Sequence, residues 1–387
     1  VRTPLFDRLS RRALRSPRRG SEADRRLAWR LFDELRPRGG PVVDFLEYPE
    51  GLAARQLRAV LRTVRPELVH ADNYRSIVAL AEASRGMDLR RVGVVRDNRF
   101  HCVRYDQSVR VDGVPCGRCD FACAPQDLPA APDVQHALLQ RTSALRRSAL
   151  EDMDRVVVTS AYLGKAIGGL LGGTDKVVRI ANSPDDVAMA EEAMRGVAER
   201  PGTNLLVVGM LNENKGQLPL VKRLDALVSR VPDVRLHFAG RGARIERSIR
   251  RWAERRGFEE RVVFHGYVDR EPLYALYREC QIAALPTIWP EPFGRVPLEA
   301  ALARRPVVSF AVGGLRESIL DEETGLLVPP DDYDAFAEAV GRLADDPALA
   351  RRMGRRAYEH IVETYRIDEL KTKLTRLWEE LRFGGQR

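Results

Sequence analysis

The chain has 387 residues, a length that accommodates two domains with ample hydrophobic cores. Apolar residues make up 44% and charged residues 31%, which excludes an intrinsically disordered chain. Its apolar runs fall short of the roughly 18 residues that a membrane span requires, and the Arg-rich amino terminus lacks the apolar region of a secretory signal. These features predict a cytoplasmic protein.

The net charge of +9 is concentrated at the amino terminus, where residues 1–30 contain ten Arg against three acidic residues. Such a segment can contact an anionic membrane surface. The favoured interpretation is a solvated helix face, because 58 of the 64 basic residues in the whole chain are Arg. Peripheral contact of residues 1–30 with the inner membrane face stays open as a hypothesis, and nucleic acid is not expected as a partner.

In the first half of the chain, short β-rich runs alternate with segments of helical periodicity. The strand-like runs are 41–48, 67–72, 91–97, 155–161 and 176–182. The helical segments are 51–65, 74–85 and 136–152. This alternation predicts a parallel sheet that is covered by helices on both faces.

The pattern restarts after a polar stretch at 185–202. Strand-like runs follow at 204–210, 234–240, 261–266, 281–287, 305–311 and 325–330. Helices are predicted at 217–230, at 243–257 and within 332–383. The predicted fold class is therefore α/β, with two doubly wound Rossmann-like domains facing a cleft, and ligands are expected at the carboxyl ends of the strands. The predicted divisions are 1–190, 202–366 and 367–387, the last being a helix that crosses back to the first domain.

The segment TIWPEPFGRVPLEA (287–300) is the most informative part of the chain. It contains Glu291 and Glu299 with seven residues between them, separated by a predicted turn that leads into a helix near Arg295. Backbone amides near Gly294–Val296 would then form an anion site at the helix start. A carboxylate on either side of a bound diphosphate suits the hydroxyl groups of a nucleotide sugar. The alternative is chance, because two Glu residues eight positions apart occur on many helices.

This segment resembles the Glu-x7-Glu signature of the retaining group 1 (family 4) glycosyltransferases, which have the GT-B fold. Five further segments match in the family's order: VVGMLNENKG (207–216), HFAGRG (237–242), VVFHGYV (262–268), GGLRESI (313–319) and TGLLVPPDD (324–332). In the first half, ELVHADN (67–73) and VVVTSAYL (156–163) resemble strand ends of the family.

The resemblance implies a role for each matching residue. Glu291 would contact the hydroxyls of the donor sugar at the catalytic centre, and Glu299 those of the ribose. The donor-binding residues that it implies are Lys215, Phe293, Gly294, Arg295, Val296, Glu299, Gly266, Tyr267 and Arg241. It also implies chemistry without a metal or other cofactor, in which the leaving diphosphate helps to deprotonate the acceptor on the same face of the sugar. The base, UDP or GDP, is left open.

The chain departs from the family at several positions. Met210 stands where the family usually has Arg, so Arg295 or Arg241 is expected to supply that charge. Arg96 stands where the family commonly has a His beside the donor sugar, and His101 is nearby. Arg96 is assigned a catalytic position as a contact to phosphate or sugar, the alternative being an ion pair with Asp97. The family's opening strand and glycine loop are not found before residue 40.

Four cysteines, Cys102, Cys116, Cys119 and Cys123, fall within 22 residues. Four thiolates can close a tetrahedral structural zinc site, although this spacing is not one of the common ones. Reduced thiols in a long loop are an equally favoured alternative.

The predicted function is a hexosyltransferase-like enzyme that uses a nucleotide sugar. The acceptor stays open among glycans, lipid-linked molecules and small metabolites. Two alternatives remain: a catalytically impaired binding or scaffold protein, suggested by Met210, Arg96 and the missing glycine loop, and a nucleotide-sugar epimerase on the same fold.

Overall fold

The computed structural model describes residues 52–102, 132–184 and 186–383. In the first domain the described elements are α1 (Leu52–Val64), β1 (Leu68–Asp72), α2 (Tyr74–Ala83), β2 (Arg90–Val95), α3 (Pro132–Glu151), β3 (Arg155–Val158), α4 (Ala161–Leu171) and β4 (Val177–Arg179). The four described strands are parallel and lie in the order β1-β2-β3-β4. The valines of β2 and β3 are buried, as expected for strands covered on both faces.

The second domain repeats the alternation of strands and helices. Its elements are α5 (Val187–Met194), β5 (Asn204–Val208), α6 (Gln217–Lys222), α7 (Leu224–Arg230), β6 (Arg235–Ala239), α8 (Ala243–Arg256), β7 (Val262–Gly266), α9 (Arg270–Glu279), β8 (Ile282–Leu285), α10 (Val296–Leu302), β9 (Val307–Phe310), α11 (Leu315–Ser318), β10 (Gly325–Val328), α12 (Tyr333–Asp345) and α13 (Pro347–Thr364). The strands are parallel, in the order β10-β9-β8-β5-β6-β7. The predicted fold class, two parallel α/β domains, is confirmed.

Two local features differ from the sequence predictions. The single helix predicted over 217–230 is wrong, because Arg223 leaves the helical conformation with φ −99° and ψ 10° and separates α6 from α7. The helix α5 spans the predicted division at residue 190. Its Ala190 and Met194 are buried in the core of the second domain, so the packing places this helix with that domain.

The last helix, α14 (Ile367–Phe383), returns to the first domain. Its Leu377 and Leu381 are buried against Val92 and Val94 of β2. The indole Nε1 of Trp378 donates a hydrogen bond to Nδ1 of His70 at 3.3 Å. The chain therefore passes between the domains twice, before α5 and again before α14. No helix in the described ranges is both long enough and apolar enough to cross a membrane.

Candidate active site

The strand order of the second sheet brings two loops together. β5 lies between β6 and β8, so the loops that follow β5 and β8 leave the same edge of the sheet side by side. The first loop contains the 3₁₀ turn Glu213–Lys215, and the second is formed by residues 286–295. The carbonyl of Asn214 accepts hydrogen bonds from the amides of Ile288 and Trp289 at 3.1 and 3.2 Å. These bonds join the two loops into one surface.

The second loop ends in a tight turn at Gly294, which has a φ of +86°. A Cβ atom there would lie 2.6 Å from Cδ2 of Leu315, so both the backbone conformation and the available space require glycine. Phe293 is 2% exposed and packs edge-on against Tyr365, with 5.3 Å between the ring centroids. The Phe293 ring therefore anchors the turn. We call residues 290–294 the donor turn.

Two further glycines support the donor turn. A Cβ atom on Gly313 would clash with the Glu291 carbonyl, and one on Gly314 would clash with the Pro292 carbonyl. The Gly314 amide donates a hydrogen bond to the Glu291 carbonyl at 2.7 Å. Sequence reasoning used these glycines only as family landmarks, because their packing partners lie in another part of the chain.

Helix α10 begins directly after the donor turn. Arg295 is its N-cap residue and makes no side-chain capping hydrogen bond, and a proline follows within the first turn. The first bond inside the helix runs from the Glu299 amide to the Arg295 carbonyl at 3.0 Å. The start of a helix carries a partial positive charge and amides that point out of it, so the arrangement suits an anion.

Lys215 and Glu291 form an ion pair across the two loops. Their side chains are 22% and 14% exposed, so the pair is shielded from bulk water and still accessible. The ammonium group also lies 4.9 Å from the centroid of the Trp289 ring. The cation predicted to hold the diphosphate and the carboxylate predicted to contact the sugar are thus in direct contact.

The second predicted carboxylate, Glu299, is held by two side chains. The hydroxyl of the buried Tyr277 donates a hydrogen bond to Oε2 of Glu299 at 3.1 Å, and Nη2 of Arg295 lies 3.6 Å from Oε1. Burial, reinforced by the charge of Glu299, raises the pKa of Tyr277 well above its ordinary value, so Tyr277 remains a donor. Arg295, one of the two residues expected to replace the missing diphosphate cation, is therefore directed towards Glu299.

The predicted donor-binding residues Arg241, Gly266 and Tyr267, and Met210 at the position of the family's Arg, lie at the carboxyl ends of β5, β6 and β7. Tyr267 is 62% exposed and Met210 is 68% exposed, which is unusual for large apolar side chains. The guanidinium of Arg241 lies 4.9 Å from the centroid of the Tyr267 ring. The carbonyl of Gly266 accepts a hydrogen bond from the Gly240 amide at 2.7 Å and so joins two of the loops. The structure thus gathers these predicted residues at one edge of the sheet.

Arg96 follows β2 in the first domain. Its Nε donates a hydrogen bond to Oδ1 of Asp72 at 2.5 Å, and its Nη1 donates to Oδ1 of Asn182 at 2.9 Å. Asp97, the alternative partner considered from the sequence, instead accepts from the amide of Arg99 at 2.9 Å and lies 3.6 Å from the Arg99 side chain. The Arg96–Asp97 pair is therefore wrong, because Asp97 caps the 3₁₀ turn that begins after it.

Two side chains of the first domain bind the donor turn, and sequence reasoning missed both. Nδ2 of Asn98 donates to the Pro290 carbonyl at 2.8 Å, and the hydroxyl of Ser160 donates to the Pro292 carbonyl. The first domain therefore contacts the backbone on both sides of Glu291. The VVVTSAYL segment that contains Ser160 was the one available signal, since serine is a frequent N-cap residue.

Two histidines near the donor turn and the second sheet, His101 and His237, are neutral at pH 7. Burial lowers the pKa of His101 to about 4, and burial together with the charge of His265 lowers that of His237 to about 4. Nδ1 of His237 lies 3.1 Å from Nε2 of His265, and its Nε2 lies 3.0 Å from Oδ1 of Asn204. Because Asn204 begins β5, this network extends towards the end of the sheet opposite the donor turn, which indicates a structural role for His237 and His265.

Of the four clustered cysteines, only Cys102 lies in the described part of the chain, where it is buried. Cys116, Cys119 and Cys123 lie outside the described residues, so the zinc site stays a prediction. Within residues 52–102, 132–184 and 186–383, no three His, Cys, Asp or Glu side chains are grouped as metal ligands would be.

Solved structures with this architecture identify the class of fold. Sucrose-phosphate synthase from Thermosynechococcus elongatus superposes with a TM-score of 0.67 and 22% identity, covering 85% of this chain and 77% of that one. Anabaena HepE, solved in complex with UDP-glucose, gives a TM-score of 0.67 and 19% identity, with 84% and 82% covered. These likenesses show that the fold is GT-B.

Family comparison agrees with the fold. Residues 191–360 match the family model described as glycosyl transferases group 1. Glycogen synthase of Mycobacterium tuberculosis is 32% identical over 240 residues, which are 60% of this chain and 55% of that protein. The GDP-mannose-dependent alpha-(1-6)-phosphatidylinositol monomannoside mannosyltransferase of Mycolicibacterium smegmatis is 34% identical over 228 residues, which are 55% of this chain and 58% of that protein. The second domain belongs to the group 1 glycosyltransferases, as predicted, and the chain spans little more than half the length of these relatives.

Proposed function

We propose that the chain is a retaining glycosyltransferase that moves a sugar from a nucleoside-diphosphate sugar to an acceptor hydroxyl. The observation that carries this proposal is the placement of Lys215, Glu291 and Glu299 around the start of α10. Lys215 and the amides after Gly294 would face the pyrophosphate, since both offer positive charge. Glu291 would contact the sugar on one side, and Glu299 the ribose on the other.

In the proposed reaction, the bond from the anomeric carbon to the diphosphate oxygen breaks, and a bond to the acceptor oxygen forms on the same face. The acceptor proton passes to the leaving diphosphate. The protein contributes positioning and stabilises the charge that develops on the leaving group through Lys215 and the turn amides. Because Lys215 and the turn amides would neutralise the charge on the leaving diphosphate, the proposal invokes no metal ion. Turnover is therefore expected to persist in EDTA.

The acceptor is proposed to lie against the first domain, near Arg96. The side chain of Arg96 is 48% exposed, and Asp72 and Asn182 hold its guanidinium in place at the carboxyl end of the sheet. Glycans, lipid-linked molecules and small metabolites remain candidate acceptors. The names of the relatives do not indicate which base the donor nucleotide carries. One relative is named as GDP-mannose-dependent, and a structural neighbour was solved with UDP-glucose.

The test is nucleotide release from a panel of UDP- and GDP-sugars, with an acceptor panel, for the native chain and Glu291→Ala. Glu338→Ala is the matched control, since that side chain is 73% exposed and lies on α12. Full activity of Glu291→Ala would contradict the site. Binding of UDP or GDP by calorimetry without any turnover would favour a scaffold protein, and an epimerised sugar without nucleotide release would favour an epimerase. Proton NMR of the anomeric centre of the product decides retention.

A further inference from the structure

Glu317 of the second domain caps a helix of the first domain. Its Oε2 accepts a hydrogen bond from the amide of Ala161 at 2.8 Å, and its Oε1 accepts one from the amide of Tyr162 at 3.0 Å. These are the first two residues of α4. The next amide, that of Leu163, binds the hydroxyl of the N-cap residue Ser160 at 3.1 Å. The amides of the first turn are therefore satisfied partly from within the first domain and partly across the domain boundary.

This contact is physically strong for one between domains. A carboxylate that accepts two backbone amides makes charge-assisted hydrogen bonds, and it also faces the positive end of an eleven-residue helix. Arg179, on β4 of the first domain, lies 3.4 Å from the same Oε2. The Glu317 side chain is only 23% exposed, so the contact is partly shielded from solvent. Separating the domains would return the carboxylate and both amides to water.

The same contact is connected to the donor turn. Glu317 lies on α11, which follows Gly314, and the Gly314 amide binds the Glu291 carbonyl at 2.7 Å. Ser160, the N-cap of the helix that Glu317 caps, donates its hydroxyl to the Pro292 carbonyl. The start of α4 therefore touches the second domain at two points, and both lead directly to the backbone around Glu291.

We infer that Glu317 is a positioning residue for the transfer reaction. Its carboxylate holds the start of α4 against α11 and so sets the distance between the first domain and the donor turn. We call the contact of Glu317 with the amides of Ala161 and Tyr162 the latch. The groups proposed to face the nucleoside diphosphate, Lys215, Glu299 and the amides after Gly294, all lie in the second domain, whereas transfer also requires the acceptor from the first domain at the correct distance. The expected effect on kcat and on the acceptor KM rests on the proposed function, whereas the expected effect on the radius of gyration does not.

Two variants break the latch from opposite sides. Glu317→Gln keeps the side-chain shape but removes the charge and one of the two acceptor oxygens. Ala161→Pro removes one of the two amide hydrogens at the first position of a helix, where proline is well tolerated. The preceding residue, Ser160, already has φ −149° and ψ 162°, close to the conformation that a residue before proline favours. Glu338→Gln on α12 is the control.

We expect both latch variants to keep nucleoside-diphosphate affinity within about twofold, while kcat falls at least about tenfold and the acceptor KM rises, because small misplacements of bound reactants are costly. Small-angle X-ray scattering should show a larger radius of gyration for both variants and no change for Glu338→Gln. Unchanged kcat and radius of gyration in both variants would overturn the inference. If no donor supports turnover, the proposed function fails. The scattering comparison still tests whether the latch sets the distance between the domains. Melting temperatures confirm that each variant is folded.

Discussion

Lys215 and Glu291 come from loops that follow different strands, and they are ion-paired at the donor turn. In the proposed function, a pyrophosphate and the Glu291 carboxylate would compete for the same ammonium group. A nucleoside diphosphate that binds Lys215 would then displace Glu291 and leave it able to accept a hydrogen bond from a sugar hydroxyl. After transfer of the sugar, re-formation of the pair would favour release of the diphosphate product.

The first prediction is that Glu291→Gln binds a nucleoside diphosphate more tightly than the native chain, while sugar transfer falls at least about 100-fold. Affinity should rise about three- to tenfold, because the variant removes the competing charge from Lys215. Isothermal titration with UDP and GDP measures the affinity, and nucleotide release from the matching sugar donor measures transfer. Weaker diphosphate binding by Glu291→Gln would contradict the competition.

The reciprocal change, Lys215→Met, should weaken diphosphate binding at least about tenfold, because it removes a charge-assisted contact and leaves Glu291 unpaired. Lys222→Met is the matched control, since Lys222 ends α6 and is exposed. Equal affinities of the two lysine variants would show that Lys215 does not contact the diphosphate.

A further prediction concerns Tyr277, whose hydroxyl donates to Glu299 at 3.1 Å. Tyr277→Phe removes a hydrogen bond to a charged acceptor, so donor KM should rise about tenfold. The loss should be smaller for a 2′,3′-dideoxynucleotide, because Glu299 is proposed to bind the ribose hydroxyls. Competitive inhibition by UDP, GDP and their dideoxy analogues measures the difference. An equal loss for both kinds of nucleotide would assign Tyr277 a role in packing alone.

Much of the fold could be predicted because its signals are local. Short apolar runs alternate with helical periodicity, and this pattern is enough to indicate parallel α/β domains. The break at Arg223 and the placement of α5 were not predictable in this way. The placement of α5 depends on tertiary packing, because its Ala190 and Met194 are buried in the core of the second domain.

The candidate site also combines local features, which the sequence predicts, with tertiary contacts, which it does not. Glu291, Gly294 and Glu299 lie within one turn and one helix, so sequence spacing alone could place them together. The contacts of Asn98 with Pro290 and of Glu317 with Ala161 join residues 192 and 156 positions apart. No periodicity encodes such a pairing, because it depends on how two separately folded domains meet.

The conformation of the donor turn gives another prediction. Gly294→Ala places a Cβ at a φ of +86° and 2.6 Å from Leu315, so backbone strain and a clash act together. We expect a loss of about 2 kcal/mol in the free energy of unfolding and a larger loss of diphosphate affinity, since the amides after Gly294 are displaced. Gly169→Ala on α4 is the control, because its Cβ would meet open space. Urea unfolding and calorimetry give the two quantities, and native-like binding by Gly294→Ala would contradict the anion site.

The buried His237 predicts how stability depends on pH. Burial and the charges of His265, Arg200 and Arg235 lower its pKa from 6.5 to about 4. Because the folded pKa lies below the unfolded one, the unfolded chain binds more protons between these values. The contribution of His237 to the free energy of unfolding therefore falls as pH drops from 6.5 towards 4 and is constant above that window. The full difference corresponds to roughly 3 kcal/mol.

His101, whose burial lowers its pKa to about 4, titrates in the same window, so His237→Gln should remove only part of the slope. Urea unfolding of the native chain and this variant at about pH 7.5 and about pH 5 tests the assignment, because the native chain should lose more stability between the two conditions than the variant does. Equal losses in the two proteins would mean that His237 is protonated in the folded state as readily as in the unfolded one, which its burial beside His265 and Arg200 opposes.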